Sequence, residues 1–218
     1  MKNKILISLL GLFALNTLSA QTAEITEEKP ETKVYIKGNA LFIPVGIVNV
    51  GIEHQLSKKF TLQGDVFISP WKSFAGKHAQ AYLLGIDGRY YFSKAFEKFY
   101  VGANISGGAF NIQKWNYWND NFYYHRDDEP TSYIQSNLYQ KGYTFILGAV
   151  GGYQFKWKER WNIDIYLGIG TMQSFYKGYD KISGDRYDNL VDRMGRKWDR
   201  SGELLPYRGG IMISYKLK

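Results

Sequence analysis

The chain has no cysteine, three histidines and five prolines among 218 residues. The missing cysteine excludes disulfides, a thiol nucleophile, thiolate metal sites and a lipid-modified cysteine. The histidines, His54, His78 and His125, never stand at metal-ligand spacing, and no His-x-Ser pair occurs. A nucleophilic serine needs a base within hydrogen-bond reach. His125 with Asp127 and Ser132 could meet only through folding of one long loop. No Walker loop, dinucleotide fingerprint or calcium loop is present. We therefore assign no catalytic, cofactor-binding or metal-binding residues. After residue 20 there is also no apolar run near the roughly 20 residues that a spanning helix requires.

What is present begins with a positive start at Lys2 and Lys4. An apolar run from Ile5 to Leu15 follows, then Leu18-Ser19-Ala20. This order is that of a secretory signal peptide, so residues 1–20 are expected to be a removed leader. Residues 21–33 are polar and acidic, with Glu24, Glu27, Glu28 and Glu31, and are expected to be a flexible periplasmic tail. The formal charge is +8, of which Lys2 and Lys4 supply two, leaving +6 for the rest. The basic residues are dispersed and the chain is expected to be exported, so lipid phosphate is the expected acidic partner rather than nucleic acid.

From Val34 the sequence alternates with a period of two, as strands do. Eight segments carry the pattern: 34–42, 47–55, 60–69, 80–92, 99–112, 142–156, 160–172 and 206–217. In the seventh, Trp161, Ile163, Ile165, Leu167 and Ile169 share one face, opposite Asn162, Asp164, Tyr166, Gly168 and Gly170. The eighth sets Tyr207, Ile211, Ile213, Tyr215 and Leu217 against Arg208, Gly210, Met212, Ser214 and Lys216. Short links at 57–59, 93–98 and 157–159 alternate with longer ones at 70–79, 113–141 and 173–205; only the first, at 44–46, breaks the series. Short turns at one end and long loops at the other match an all-β, eight-stranded antiparallel transmembrane barrel of the outer membrane, with periplasmic turns and extracellular loops.

A soluble barrel also alternates, with its apolar face inside. Three features favour the inverted arrangement. The polar face carries both signs of charge, at Glu53, Asp65, Asp87, Arg89, Asp164, Arg208 and Lys216, which can pair inside a narrow lumen. Glycines fall on the same face, at Gly51, Gly85, Gly102, Gly148, Gly152, Gly168 and Gly170, where they leave room for Arg and Tyr. Aromatics gather beside the short turns, at Phe60, Tyr90, Tyr91, Phe92, Phe99, Phe155 and Trp161, as girdles do.

The ordered set Gly51-Ile52-Glu53, Lys59-Phe60-Thr61-Leu62, Ser69-Pro70-Trp71, Arg89-Tyr90-Tyr91-Phe92, Gly151-Gly152-Tyr153-Gln154-Phe155, Arg160-Trp161 and Gly168-Ile169-Gly170 resembles a family of small outer-membrane barrels of Bacteroidota, catalogued only as a domain of unknown function. The resemblance covers nearly all of Val34 to Lys218, apart from the unusually long third loop. It implies fold and location, and brings no catalytic residues. Arg208 to Tyr215 also looks like the terminal element that the barrel assembly machinery recognises, although Lys218 stands where an aromatic is common.

The most distinctive segment is that third loop, with Trp115, Tyr117, Trp118, Phe122, Tyr123 and Tyr124, and further on Tyr133 and Tyr139. Two readings stay open: a contact site for a surface protein or glycan, or a rim that packs on itself or on lipopolysaccharide. The expected function is a non-enzymatic structural or surface-binding role in the outer membrane. The rivals are an enzyme modifying lipid A and a soluble periplasmic lipid-binding barrel.

Overall fold

The computed structural model describes residues 32–124, 130–188 and 198–218. The expected leader, the tail up to residue 31, His125 and Asp127 lie outside the described residues. The strands are β1 (Val34–Asn39), β2 (Val48–Gln55), β3 (Phe60–Phe74), β4 (Lys77–Tyr91), β5 (Lys98–Ile112), β6 (Phe122–Tyr124), β7 (Pro130–Ile134), β8 (Leu138–Lys158), β9 (Trp161–Asp180) and β10 (Asp199–Lys216). Eight of them form a closed antiparallel barrel in the order β1-β10-β9-β8-β5-β4-β3-β2, and β6 and β7 form a separate hairpin in the third loop. Sequence neighbours are neighbours in the ring, so the chain runs up and down and β10 closes on β1.

All eight expected strands exist, but several run further toward the long-loop end. The link expected at residues 70–79 is a two-residue turn, Ala75-Gly76, with Phe74 opposite Lys77. Both turn residues have positive φ, 49° and 78°, the geometry of a tight hairpin that matches strand twist. Alanine is a poor marker for that conformation, and Pro70 suggested a strand end. Pro70 is tolerated because β2 pairs with β3 only as far as Ile68, so the upper part of β3 is an edge. Pro206 stands on a matching edge, since β1 pairs with β10 only as far as Met212. The barrel is thus tall across β8, β9 and β10 and low at β1 and β2. There residues 40–47 form the link, pinned by the Trp71 indole donating to the Val45 carbonyl at 2.8 Å.

The alternation assigns faces as expected. Leu84, Val101, Ile105, Leu147, Ile165, Leu167 and Ile169 are exposed on the outside, whereas Asn49, Glu53, Gln63, Asp87, Arg89, Asn104, Gln154 and Asp164 are buried inside. One residue departs from its phase. The pairing of β10 with β9 shifts between Pro206 and Arg208, a bulge that places an extra residue in the strand. Tyr207, expected on the outer face with Ile211 and Ile213, turns inward, and its hydroxyl donates to Asn104 Oδ1 at 2.7 Å. The inner glycines make room as expected. A Cβ at Gly148 would lie 2.7 Å from the Tyr207 ring, at Gly152 2.6 Å from the Tyr100 hydroxyl, and at Gly168 2.7 Å from Arg208 Cγ.

The short-turn end is closed by the link after β4. Phe96, held at φ 68°, is buried against Tyr35, with ring centroids 4.4 Å apart, and beside Tyr91 at 6.1 Å. The Asn162 amide donates to its carbonyl at 3.4 Å. Replacing Phe96 with alanine leaves a hole under the lumen. We expect Phe96→Ala to lower stability by about 3–5 kcal/mol, read as a lower denaturant midpoint with the barrel's circular dichroism spectrum retained.

Candidate functional site

Above Phe96 the lumen is crossed by a layer of buried charge. From β1, Lys37 Nζ reaches Glu53 at 2.7 Å and Asp164 at 2.6 Å. From β4, Arg89 binds Asp87 at 2.9 Å, Asp164 at 3.0 Å and Glu53 at 3.4 Å. Its guanidinium lies over the Tyr100 ring, 4.7 Å from the centroid. From β10, Arg208 binds Asp65 and Asp87, each at 3.0 Å. Three cations therefore meet four carboxylates. Neutral donors satisfy the rest: the Tyr91 hydroxyl donates to Glu53 at 2.8 Å, and Tyr100 to Asp164 at 2.9 Å. The Thr61 hydroxyl also bonds Glu53, and the Asn104 amide bonds Asp87.

Six of the seven expected lumen charges, Glu53, Asp65, Asp87, Arg89, Asp164 and Arg208, are in this layer. Lys216 is not: it lies on the same strand face but at the very end of β10, half-buried, and makes no ion pair among the described residues. Lys37 takes its place. It alternates with Tyr35 and Asn39, both buried, and that phase was legible in the first segment. What could not be seen locally is that β1 lies beside β10 and so brings Lys37 within reach of Asp164.

The long-loop side of this layer holds a cavity of about 190 Å³. Asp65, Arg208, Asn49 and Ser106 are polar parts of its lining, and Phe42, Phe67, Leu83, Ile146, Tyr166 and Tyr207 supply apolar and aromatic wall. The guanidinium of Arg208 is engaged by two carboxylates, so the cavity presents no free cation.

The third loop folds over the mouth on the β8–β9 side. Gln113 Nε2 donates to the carbonyls of Tyr117, Gln135 and Ser136. Lys114 Nζ donates to the Tyr176 hydroxyl at 2.9 Å. Tyr187, from the fourth loop, is buried at the centre, with ring centroids 4.9 Å from Tyr123, 6.3 Å from Tyr117 and 6.5 Å from Tyr133. Its hydroxyl accepts from Gln140 Nε2 at 2.6 Å. Gly178 is required beneath it, since a Cβ there would lie 2.3 Å from the Tyr187 ring. The expected contact aromatics therefore divide. Tyr117 and Tyr123 pack inward, while Trp115 (82% exposed), Trp118, Phe122 and Tyr124 face out. Phe122 and Tyr124 flank Tyr123 on a strand, which places them on the opposite face of the hairpin. Tyr187 had no sequence signal, because its neighbours come from another loop.

His54 lies exposed on the outer face of β2, and His78 stacks on Tyr139 with centroids 4.5 Å apart. Burial and the nearby Lys181 ammonium push the His78 pKa down. Neither of its ring nitrogens has a hydrogen-bond partner, so no serine or carboxylate is joined to it among the described residues. No group of three potential metal ligands exists among them either.

Two outcomes follow. Arg89→Leu removes the cation that three buried carboxylates share, leaving Lys37 and Arg208 alone to balance four acids, and is expected to cost about 3–5 kcal/mol, measured as a denaturant midpoint. Arg208→Leu should cost less, because its partner Asp65 lines the open cavity. In the canopy, burial pushes the Tyr187 hydroxyl well up and the Tyr123 hydroxyl up to about 12. Groups raised in the folded state stabilise fully below their unfolded value near 10 and lose that contribution as pH rises through the folded value. The loops should therefore gain protease sensitivity between about pH 10 and 12, in step with tyrosinate absorbance.

Neither a curated protein nor a solved structure matches this chain. The profile of one family, described as "Protein of unknown function (DUF3575)", matches residues 8–198. That range contains every motif that carried the resemblance and stops just before β10. On this match the chain belongs to the DUF3575 family of proteins of unknown function.

Proposed function

We propose that this chain is a non-enzymatic protein of the outer membrane, a barrel inserted in lipid whose long-loop end is a contact surface. The observation that carries the proposal is the inverted distribution of polarity. Charges and amides fill the interior, while the outer wall carries Leu84, Ile105, Leu147, Leu167 and Ile169 in the open. In water such a wall would be a large exposed apolar patch; in a bilayer it is the required surface.

The aromatic rows agree with this reading. Phe60, Phe92, Phe99, Tyr153 and Phe155 are exposed near the short turns, and Tyr82, Tyr143, Phe145 and Phe175 near the other end. Along β8, Phe145 to Tyr153 spans roughly 21 Å at ~3.4 Å per residue and a tilt of ~40°. That is close to the roughly 25 Å apolar band of such barrels. No helix among the described residues is long and apolar enough to cross a membrane; in the proposed reading the strands cross it.

A lipid carrier with an apolar lumen is disfavoured by the charge layer, which occupies the space a hydrocarbon chain would need. A lipid-modifying enzyme is disfavoured at His78, where no nucleophile is engaged. The surface role rests on Trp115, Trp118, Phe122 and Tyr124, which remain exposed although Tyr117 and Tyr123 of the same loop are packed away. Exposed aromatics of this kind anchor partners and sugar rings.

The barrel should resist cold detergent and shift its gel mobility on boiling when taken from a washed outer-membrane fraction. Release by a salt wash with one unshifted band would overturn the membrane reading. With the lumen crossed by the charge layer and stopped by Phe96, planar bilayers should show no stable conductance. Trp115→Ser, Trp118→Ser, Phe122→Ser and Tyr124→Ser together should keep the heat shift and abolish retention of isolated surface polysaccharide. Unchanged retention would place any glycan contact elsewhere.

A further inference from the structure

We propose that the outer face of β8, β9 and β10, at its long-loop end, is a binding site for the phosphate-bearing headgroup of a membrane lipid. The inference rests on the membrane reading above and specifies where the lipid is held.

The register fixes the site. Lys141 on β8 is directly opposite Lys177 on β9, and the row below sets Tyr143 beside Phe175 and Phe175 beside Arg200 of β10. All three cations lie on the outward phase of their strands, continuous with Phe145, Leu147 and Leu167 further down. Two of them lie against aromatic rings. Lys177 Nζ is 4.6 Å from the Trp198 ring centroid, and the Arg200 guanidinium is 5.5 Å from that of Phe175. Beyond Lys141 the same row continues into Asn111 and Gln80, whose amides bond each other at 3.1 Å. No ion pair engages Lys141, Lys177 or Arg200 among the described residues. The nearest carboxylates on these strands, Asp180, Asp199 and Glu203, lie on the inward phase.

Like charges directly opposite on a sheet are destabilising. An arrangement of three cations with no acid on the face among the described residues is relieved by an anion from outside. The position selects which anion. The cations stand at the upper edge of the apolar wall, Arg200 level with Tyr143 and Phe175 and the two lysines one row above. A headgroup phosphate sits there when the acyl chains lie along Leu147 and Leu167. Each Lys or Arg near an anionic surface adds to its attraction, so three converging on one headgroup discriminate strongly against a zwitterionic lipid. The aromatic rings beside them supply flat contact for the sugar of a phosphoglycolipid.

The test uses the full chain purified in a non-ionic detergent and titrated with diphosphorylated lipid A, the bound lipid being counted by native mass spectrometry. The variant carries Lys141→Gln, Lys177→Gln and Arg200→Gln together. Lys72→Gln with Lys77→Gln, on β3 and β4, serves as the control pair. We expect at least about tenfold weaker lipid binding for the triple variant, an unchanged control pair, and an intact gel-mobility shift on boiling in both. Three results would overturn the site: a triple variant that binds as the native chain does, equal retention of phosphatidylcholine, or displacement of lipid A by equimolar inorganic phosphate. A native chain with no boiling shift would instead defeat the membrane reading itself. A normal shift with unaltered lipid binding in the triple variant would defeat only this assignment.

Discussion

The structure depends on one constraint: a barrel of eight strands has a lumen too narrow for bulk water, and this one is lined with charge. Each buried charge must find its partner across the interior, because solvent is not there to hydrate it. Arg89 meets the constraint by bridging Asp87, Asp164 and Glu53, with Tyr100 beneath its face. Lys37 and Arg208 extend the same layer to β1 and β10. The layer ties together strands that are not neighbours in the ring, and it blocks the lumen. Removing one member is costly for the others, while the hydrogen-bonded backbone ladder alone would leave the interior unsatisfied.

The remaining features follow from what this layer needs. Inner glycines at Gly152 and Gly168 leave space for Tyr100 and Arg208. The bulge at Tyr207 lets two consecutive side chains face inward, so that Arg208 reaches Asp65 while Tyr207 reaches Asn104. Phe96 seals the short-turn end, where a charge would have no partner. The apolar residues displaced from the interior are placed on the outer wall. A polar filling and an apolar outer wall are thus one design, since each strand residue has only two faces to choose from.

Much of this was legible from alternation. Period-two patterning placed all eight strands, the inner and outer faces of most of them, and six of the seven lumen charges. The departures have separate physical causes. Pro70 and Pro206 suggested strand ends because proline interrupts a ladder, yet both stand where the neighbouring strand has already stopped. Tyr207 was assigned outward because a bulge resets the phase, and a bulge leaves no mark in a pattern of two. In the third loop, composition identified a cluster of aromatics but could not divide Tyr117 and Tyr123, which pack on Tyr187, from Trp115 and Trp118, which do not.

The sequence by itself determined the number of barrel strands, the alternation of faces and the chemical character of the interior, because these depend on residues one and two positions apart. Only the tertiary structure decided which charges meet. Lys37 and Asp164 are 127 positions apart and become partners because β10 closes on β1, which brings β9 and β1 within one strand of each other. The same closure set the heights of the wall, high at β8 to β10 and low at β1 and β2. It thereby left Lys141, Lys177 and Arg200 side by side on one outward face. Ring closure and register are properties of the whole sheet, and no local window of sequence contains them.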